Sequence, residues 1–539
     1  MISPVRNFKS AYAEPFVFLL VTVWNMLPLF SGRFFPTLDG PAHLYNSNLI
    51  ASLLTDHHSA LNNFLTLVKD PLPNWTGHAV LAALNYFLPA FAAEKILLAL
   101  YIIALPWAFR SLLKTISPGN YFLSYFIFPF TYSFVLYLGF YNFCIALVFL
   151  FVTLNYWILN REKIYSYRKI LPLVCLMTLT YFSHVFVFAT LLMIMLISIL
   201  SETALSAAFG KGEKRILFST ALKDFLALLC SALLPIILFL LYFKSPGQQA
   251  ESFLSFTALK EDLKNTRSLI AFNLEEEQKF TKKIFYVIML LLAIGVFLKL
   301  NAVRWKREET AKANLSAALK NILSPADSWF LVMGVILFFY FRLPDSDGSA
   351  GFFSVRLNLL FFLLSIVWLS ARQLPRWLTI LSALTVLTLN YKLNNYRVEE
   401  TKKLNAIAVE CNTAADYITP GSTILPITLH DNWLLGHFSN YLGADKPVVI
   451  LENYEAETNF FPVRWKKQLK SHQSNTSIFP CTSWGDKKWP LSAKIDYVFI
   501  LGNKINMQDS CPQAITTELS EKYTLRYHTD FCRLYEMNK

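Results

Sequence analysis

Apolar stretches close to the thickness of a bilayer recur along this chain, and that recurrence limits its fold more than any other feature. The first, "EPFVFLLVTVWNMLPLF", covers residues 14–30. Others cover 77–92, 95–113, 120–158, 170–200, 224–243, 283–299, 327–342, 357–371 and 377–391. A helix rises 1.5 Å per residue, so about 20 apolar residues cross the hydrocarbon layer. With the two longest runs divided, the pattern predicts about eleven or twelve spans, an all-α polytopic membrane domain over residues 1–391. Composition points the same way, because 55% hydrophobic and only 16% charged residues leave too little polar surface to cover a water-soluble globule. Residues 14–30 are too long for a signal-peptide core and lack a small-residue cleavage site, so a retained first helix is expected.

Lys and Arg number 49 against 36 Asp and Glu. In a soluble domain this excess would suggest nucleic acid, but here the basic residues fall in short clusters between apolar runs, which excludes that partner. The clusters Arg6/Lys9, Arg161/Lys163/Arg168/Lys169, Lys211/Lys214/Arg215, Arg304/Lys306/Arg307 and Arg372/Arg376 belong in the cytoplasm by the positive-inside rule. The N-terminus is then cytoplasmic, while the loops 31–76, 244–282 and 342–356, and everything after residue 392, face outward. An outside start and an inside end require an odd number of crossings between residues 77 and 158. The short run 77–92, with Asn85 and Pro89, is therefore expected to be re-entrant or interfacial.

Residues 392–539 differ in character. A helix-like stretch, "NYRVEETKKLNAIAVECNTAADYI", stops at Pro420 and Gly421. Short β-type runs follow at "STILPIT", "KPVVIL" and "KIDYVFIL", and "YTLRYHTDFCRLYEM" reads as a hairpin. A small α/β extracytoplasmic domain is predicted, of a size able to bury its own core. Cys144, Cys175 and Cys230 sit in apolar spans as small hydrophobes. Cys411, Cys481, Cys511 and Cys532 lie in the terminal domain, where an oxidising compartment would allow two disulfides by any of three pairings.

No phosphate-binding loop, HExxH, GxSxG or SxxK motif occurs. The chemistry-bearing stretch is "FFPTLDGPAHLYNSNLI", residues 34–50, directly after the first apolar run. Asp39 on a loop entering a helix can act as a general base or hold a divalent ion, with burial near lipid raising its basicity. His43, four residues on, shares its helix face and the ligand or proton. The competing reading is capping, since Asp before Gly-Pro is a common helix start.

Four short motifs, "DGPAH" (39–43), "GFYNF" (139–143), "YFSH" (181–184) and "DGSAGFFSVR" (347–356), occur in order along the membrane part. With an acid in the external loop after its first helix, where Asp39 is the one residue that matches, the chain resembles the C-type membrane-integral glycosyltransferases, among them oligosaccharyltransferases, protein O-mannosyltransferases and the aminoarabinose transferase acting on lipid A. It looks most like bacterial multi-pass proteins related to them that carry a D-x-P-x-H motif after the first helix. The resemblance implies a bacterial cytoplasmic (inner) membrane enzyme that moves a sugar from a polyprenyl-phosphate carrier to an acceptor at the outer face, with membrane lipid around it. It also implies Asp39 as base or metal ligand, and a divalent cation such as magnesium or manganese as a possible cofactor, with Asp39 and His43 as its ligands. Many members carry two adjacent acids where this chain has "LDGPAH".

Arg356 opens the apolar run after the 342–356 loop and suits a phosphate in fork geometry, with the backbone at Gly348 and Gly351 able to approach a head group; snorkelling explains it equally well. His184 lies deep in an apolar run, either a functional group or an imidazole bonded to a neighbouring carbonyl. Asn142 is expected to bond between helices. In "KDPLPNWTGH", Lys69, Asp70, Asn74 and His78 gather on the side assigned to Asp39 and are candidates to line one pocket with it. In "LHDNWLLGHFSNYL", Asp431 and Trp433 suit sugar recognition, and His430 and His437 are seven apart, a spacing that could share one helix face. Rival readings are a lipid or glycan flippase, which favours paired charges at the midplane, and a non-catalytic scaffold.

Overall fold

A computed structural model describes residues 8–55, 60–209, 214–242, 251–309, 327–347, 350–458, 460–466, 494–503 and 511–539. The chain divides into two compact units, each discontinuous in sequence. One comprises Met1–Leu27, Tyr101–Leu136 and Phe143–Arg397; the other comprises Pro28–Leu100, Tyr137–Asn142 and Val398–Lys539.

The first unit is helical. It opens with α1 (Phe8–Trp24). Among the described residues six helices are long and apolar enough to cross a membrane: Ala90–Ile116, Tyr141–Lys163, Val185–Leu205, Phe218–Tyr242, Leu274–Asn301 and Phe353–Ser370. Two shorter apolar helices are Ala13–Trp24 and Ser328–Arg342. Among the described residues, fewer helices than the eleven or twelve expected spans meet that length and composition, and the two longest runs are divided at particular residues. The run 120–158 contains one long helix, Tyr141–Asn160. Its first part is a 3₁₀ segment, Pro118–Ile127, followed by single turns at Phe128–Thr131 and Phe134–Tyr137. Pro118 and Pro129 each start such a piece, where a missing N–H costs nothing, and Gly139 (φ +83°) ends the series. The run 170–200 breaks at His184, whose backbone is extended between Tyr167–Ser183 and Val185–Phe209.

Polar side chains inside this unit find one another. Asn25 donates to the Thr131 hydroxyl at 2.7 Å and accepts from Asn390 and Asn394 at 3.2 and 2.8 Å. Arg110 donates to both Glu14 oxygens and to Ser124. Such pairing is what apolar surroundings demand of a buried polar group.

The second unit holds two helices near its start, α2 (Gly40–Thr55) and α3 (Trp75–Asn85). With eleven residues, α3 is too short to cross a bilayer alone. The strand β1 (Leu65–Leu67) pairs antiparallel with β4 (Val463–Trp465). The larger sheet has five strands in the order β3-β2-β5-β7-β6, with β2 at Thr423–Thr428, β3 at Val449–Ile450, β5 at Tyr497–Leu501, β6 at Tyr523–His528 and β7 at Cys532–Met537. β2 runs parallel to β3 and β5, and β6 and β7 form the antiparallel hairpin read from the sequence. All five residues of β5 are buried, as are five of six in β2, the mark of parallel strands covered on both faces. β6 is the exposed edge. The helix-like stretch before Pro420 is the end of a longer helix, Arg376–Ala414.

Cys411 on that helix and Cys532 on β7 are fully buried, with their sulfurs 3.5 Å apart as thiols. Cys481 lies outside the described residues. Of the pairings open to Cys411, this contact selects one. Mild oxidation of the purified chain should yield a Cys411–Cys532 linked peptide on non-reducing peptide mapping; recovery of Cys411 only as a free thiol, or joined to another cysteine, would contradict the contact.

Candidate functional site

The stretch from Asp39 to His43 lies in the second unit. At the start of α2 the first free amide is met by Thr37. The Gly40 amide donates to Thr37 Oγ1 at 3.0 Å, and Pro41 has no amide to satisfy. Thr37 is held by the Tyr141 hydroxyl at 3.0 Å, which in turn donates to Glu94 at 2.6 Å. The helix therefore starts without help from the Asp39 side chain. The Asp39 backbone is anchored instead: its amide donates to the Leu138 carbonyl at 3.2 Å, and its carbonyl accepts from His43. Gly139 makes this approach possible. A Cβ there would lie 2.8 Å from Asp39 Cβ and from the amides of Asp39 and Gly40, and its positive φ already disfavours any other residue.

The Asp39 carboxylate keeps 13% of its side-chain surface exposed and faces His437, whose Nε2 is 3.7 Å from Oδ1. His437 Nδ1 bonds Glu452, which also accepts from Ser439 and, at 3.1 Å, from Asn440. The Tyr454 ring stacks on His437 with centroids 4.5 Å apart. Burial pushes the Asp39 carboxyl above its usual range; His437, His43 and the Tyr454 hydroxyl offset part of this, and the Glu455 charge adds to it. Burial also opposes charge on His437, but Glu452 and Asp39 outweigh it and raise the imidazole above its ordinary value.

His43 and His78 meet on one carboxylate. His43 Nδ1 lies 2.6 Å from Glu455 Oε1, and His78 Nε2 lies 2.9 Å from Glu455 Oε2. The rings stand edge to face at 4.8 Å, with Phe461 against both. Exposure of the three side chains is 5%, 1% and 0%. Burial alone would raise Glu455, but the His78 and His43 imidazoles win and lower it to about 2. For His43, burial opposes charge and the Glu455 carboxylate overcomes it, raising the ring. The neighbouring residues are just as tightly bound: Asn46 and Asn453 exchange reciprocal amide bonds at 3.0 and 2.9 Å, and Tyr45 spans the Val448 carbonyl and the Ile450 amide.

The sequence candidates thus separate. Asp39, His43, His78 and Asn74 come together in the second unit, Asn74 through its carbonyl, which accepts from His78 and from Asn142. Lys69 and Asp70 lie exposed on the loop and make none of these bonds, so the pocket inferred from "KDPLPNWTGH" draws only on its last residues. His430 and His437 do not share a helix face, because the segment folds as two 3₁₀ pieces, Trp433–Leu435 and Phe438–Gly443, which do not keep the α-helical repeat. Asp431 and Trp433 are exposed. His184 and Arg356 belong to the first unit. There the Arg356 guanidinium lies 5.4–6.0 Å from the centroids of Phe353, Phe143 and Phe186, with His184 in electrostatic range. His184 Nδ1 accepts the Phe186 amide at 3.2 Å, so its bond is local rather than to a neighbouring helix. Gly348 lies outside the described residues.

The residues that sequence reasoning missed are Thr37, Glu452, Tyr454 and Glu455. A signal for three of them existed: "LENYEAE" follows "VVI" directly, and side chains just past the carboxyl end of a parallel strand are favoured places for chemistry.

The sequence matches no family model and no curated protein.

Gly139→Ala is predicted to lose at least about 2 kcal/mol of stability, from the positive φ and the forced displacement of Asp39. Thermal or denaturant unfolding of the variant measures this; a loss under about 0.5 kcal/mol, within the range of a neutral surface change, would show that the close approach is absent.

Proposed function

We propose that the chain transfers a sugar from a polyprenyl-phosphate carrier to an acceptor hydroxyl, as a multi-pass protein of the bacterial cytoplasmic membrane with Asp39 and the terminal sheet on its outer side. The observation that carries this reading is the Asp39 carboxylate itself: it is relieved of helix capping by Thr37, partly open, and backed by His437 and Glu452. The reaction class comes from the resemblance of Asp39 and the four short motifs to bacterial multi-pass proteins related to C-type glycosyltransferases, and the six apolar helices agree with a membrane location.

In this mechanism the acceptor hydroxyl gives its proton to Asp39 as its oxygen attacks the anomeric carbon. The bond to the carrier phosphate breaks, and the phosphate leaves with the electron pair. His437, oriented by Glu452, steadies the carboxylate and the proton it gains. His43, first paired with Asp39 as a catalytic group, takes a positioning role, since both its ring nitrogens are bound, one to Glu455 and one to the Gly139 carbonyl at 2.8 Å.

The test is complementation of a deletion strain, with mass spectrometry of envelope glycans and lipid-linked sugars. Wild type should restore a sugar that the deletion lacks, and Asp39→Asn, expressed at the same level, should reduce transfer by at least about 100-fold, the usual range for a lost general base. Full restoration by Asp39→Asn would remove Asp39 from the mechanism. Precursor trapped on the inner face of the membrane would favour flipping instead.

A further inference from the structure

The contacts on the outer sides of His43 and His78 orient the rings and aim one nitrogen of each at Glu455. His43 Nε2 lies 2.8 Å from the Gly139 carbonyl, which can only accept, so Nε2 carries a hydrogen. His78 Nδ1 lies 3.2 Å from the Asn74 carbonyl, an acceptor, and 3.5 Å from the Asn142 amide nitrogen, a donor. The Asn142 amide is itself oriented by its oxygen, which accepts the Gly77 amide at 2.6 Å, while its nitrogen donates to Asn74 at 2.9 Å. Neutral His43 therefore points a lone pair, on Nδ1, at Glu455 Oε1, and His78 Nε2 faces Oε2.

A lone pair against a carboxylate oxygen at 2.6 Å is repulsive, and no solvent relieves it at a side-chain exposure of 5% or less. A proton or a cation must lie between His43 and Glu455. It is either one extra proton on the His43 ring or a single cation shared by all three groups. The three donor atoms lie within 4.8 Å of one another. Ligands about 2.0–2.1 Å from a tetrahedral ion are about 3.3 Å apart, so to admit one the two nitrogen–oxygen pairs, now 2.6 and 2.9 Å, would open by about 0.4–0.7 Å and any donor atoms further apart would close on the ion. The outer bonds to backbone carbonyls are also those that orient imidazole ligands and strengthen them as donors.

We propose that His43, His78 and Glu455 form a binding site for one divalent transition-metal ion of the zinc class. Two imidazoles and one carboxylate suit such an ion, whereas magnesium and calcium prefer oxygen donors throughout. Three protein ligands leave a coordination position open, as in sites where the ion also meets a water or a substrate atom. The site shares His43 with the proposed transfer machinery and acts on the charge of Asp39, but the proposal does not rest on that transfer and needs no step in it.

The test uses the untagged full-length chain in detergent and Zn²⁺ as the probe. After equilibration with Zn²⁺ and removal of free ion, elemental analysis should find one zinc per chain, and X-ray absorption should show nitrogen and oxygen ligands near 2.0–2.1 Å with no sulfur. A strong chelator should lower the thermal midpoint by several degrees, and added Zn²⁺ should restore it. Glu455→Gln and His78→Gln should each weaken binding at least tenfold and lose the chelator response, while Asp70→Asn, on the exposed loop, should keep both. A wild-type chain that retains less than a tenth of an equivalent and melts identically with chelator and with Zn²⁺ would overturn the site, as would full zinc content in both variants. Should either variant fail to fold, the wild-type stoichiometry, ligand type and chelator response decide alone.

Discussion

A carboxylate with no water around it has to be matched by positive charge or hydrogen bonds, and the fold of the second unit is arranged around one such group, Glu455. Its two oxygens are taken by imidazoles from α2 and α3, helices far from it in sequence. Each imidazole is in turn braced by a backbone carbonyl, from Gly139 and from Asn74. Asn142 ties Asn74 to the first turn of α3 by bonding the Gly77 amide. Removing one member would leave the others buried without partners, which costs more than the bond itself contributes. The short motif "GFYNF" acquires a physical meaning here: Gly139 supplies the close approach and a carbonyl, the Tyr141 hydroxyl holds that of Thr37, and Asn142 bridges the Gly77 amide and the Asn74 carbonyl beside His78.

This arrangement leaves Asp39 with a different task. Because Thr37 and the Leu138 carbonyl hold its backbone, the carboxylate is positioned without being consumed by the helix it precedes. His437 and Glu452 give it polar company from the segment around β3, the same segment that carries Glu455. Two polar centres, Asp39 with His437 and Glu455 with its two histidines, thus arise from one local feature: residues placed just beyond a short parallel strand.

Much of the terminal sheet was legible in the sequence, because β-branched and aromatic runs bounded by turn residues are local signals. "STILPIT", "KIDYVFIL" and the final hairpin all appear as strands. The association of Asp39 with His43 and the later His78 was legible in part, through helical spacing and shared loop position. The partner that unites the two histidines was not. Glu455 sits in an acidic stretch that reads as a solvated turn, and only its long-range contacts make it a buried anion. The cap was misleading for a related reason: Asp and Thr both precede Gly-Pro, and backbone geometry alone decides which oxygen meets the Gly40 amide. The two longest runs divide where Pro118, Pro129, Gly139 and the extended backbone at His184 interrupt the helix, positions that hydropathy, a measure of composition, does not locate.

The most direct measurement of the central claim, that Glu455 and the imidazoles act as one buried unit, is a double-mutant cycle on unfolding free energy with His78→Ala and Glu455→Ala in the full chain. The account predicts strong non-additivity, with a coupling of at least about 1.5 kcal/mol, since either substitution already removes the interaction that the other would break. Additive losses, agreeing to within about 0.3–0.5 kcal/mol, would mean that the two side chains do not meet, and the arrangement described around them would fall with that result.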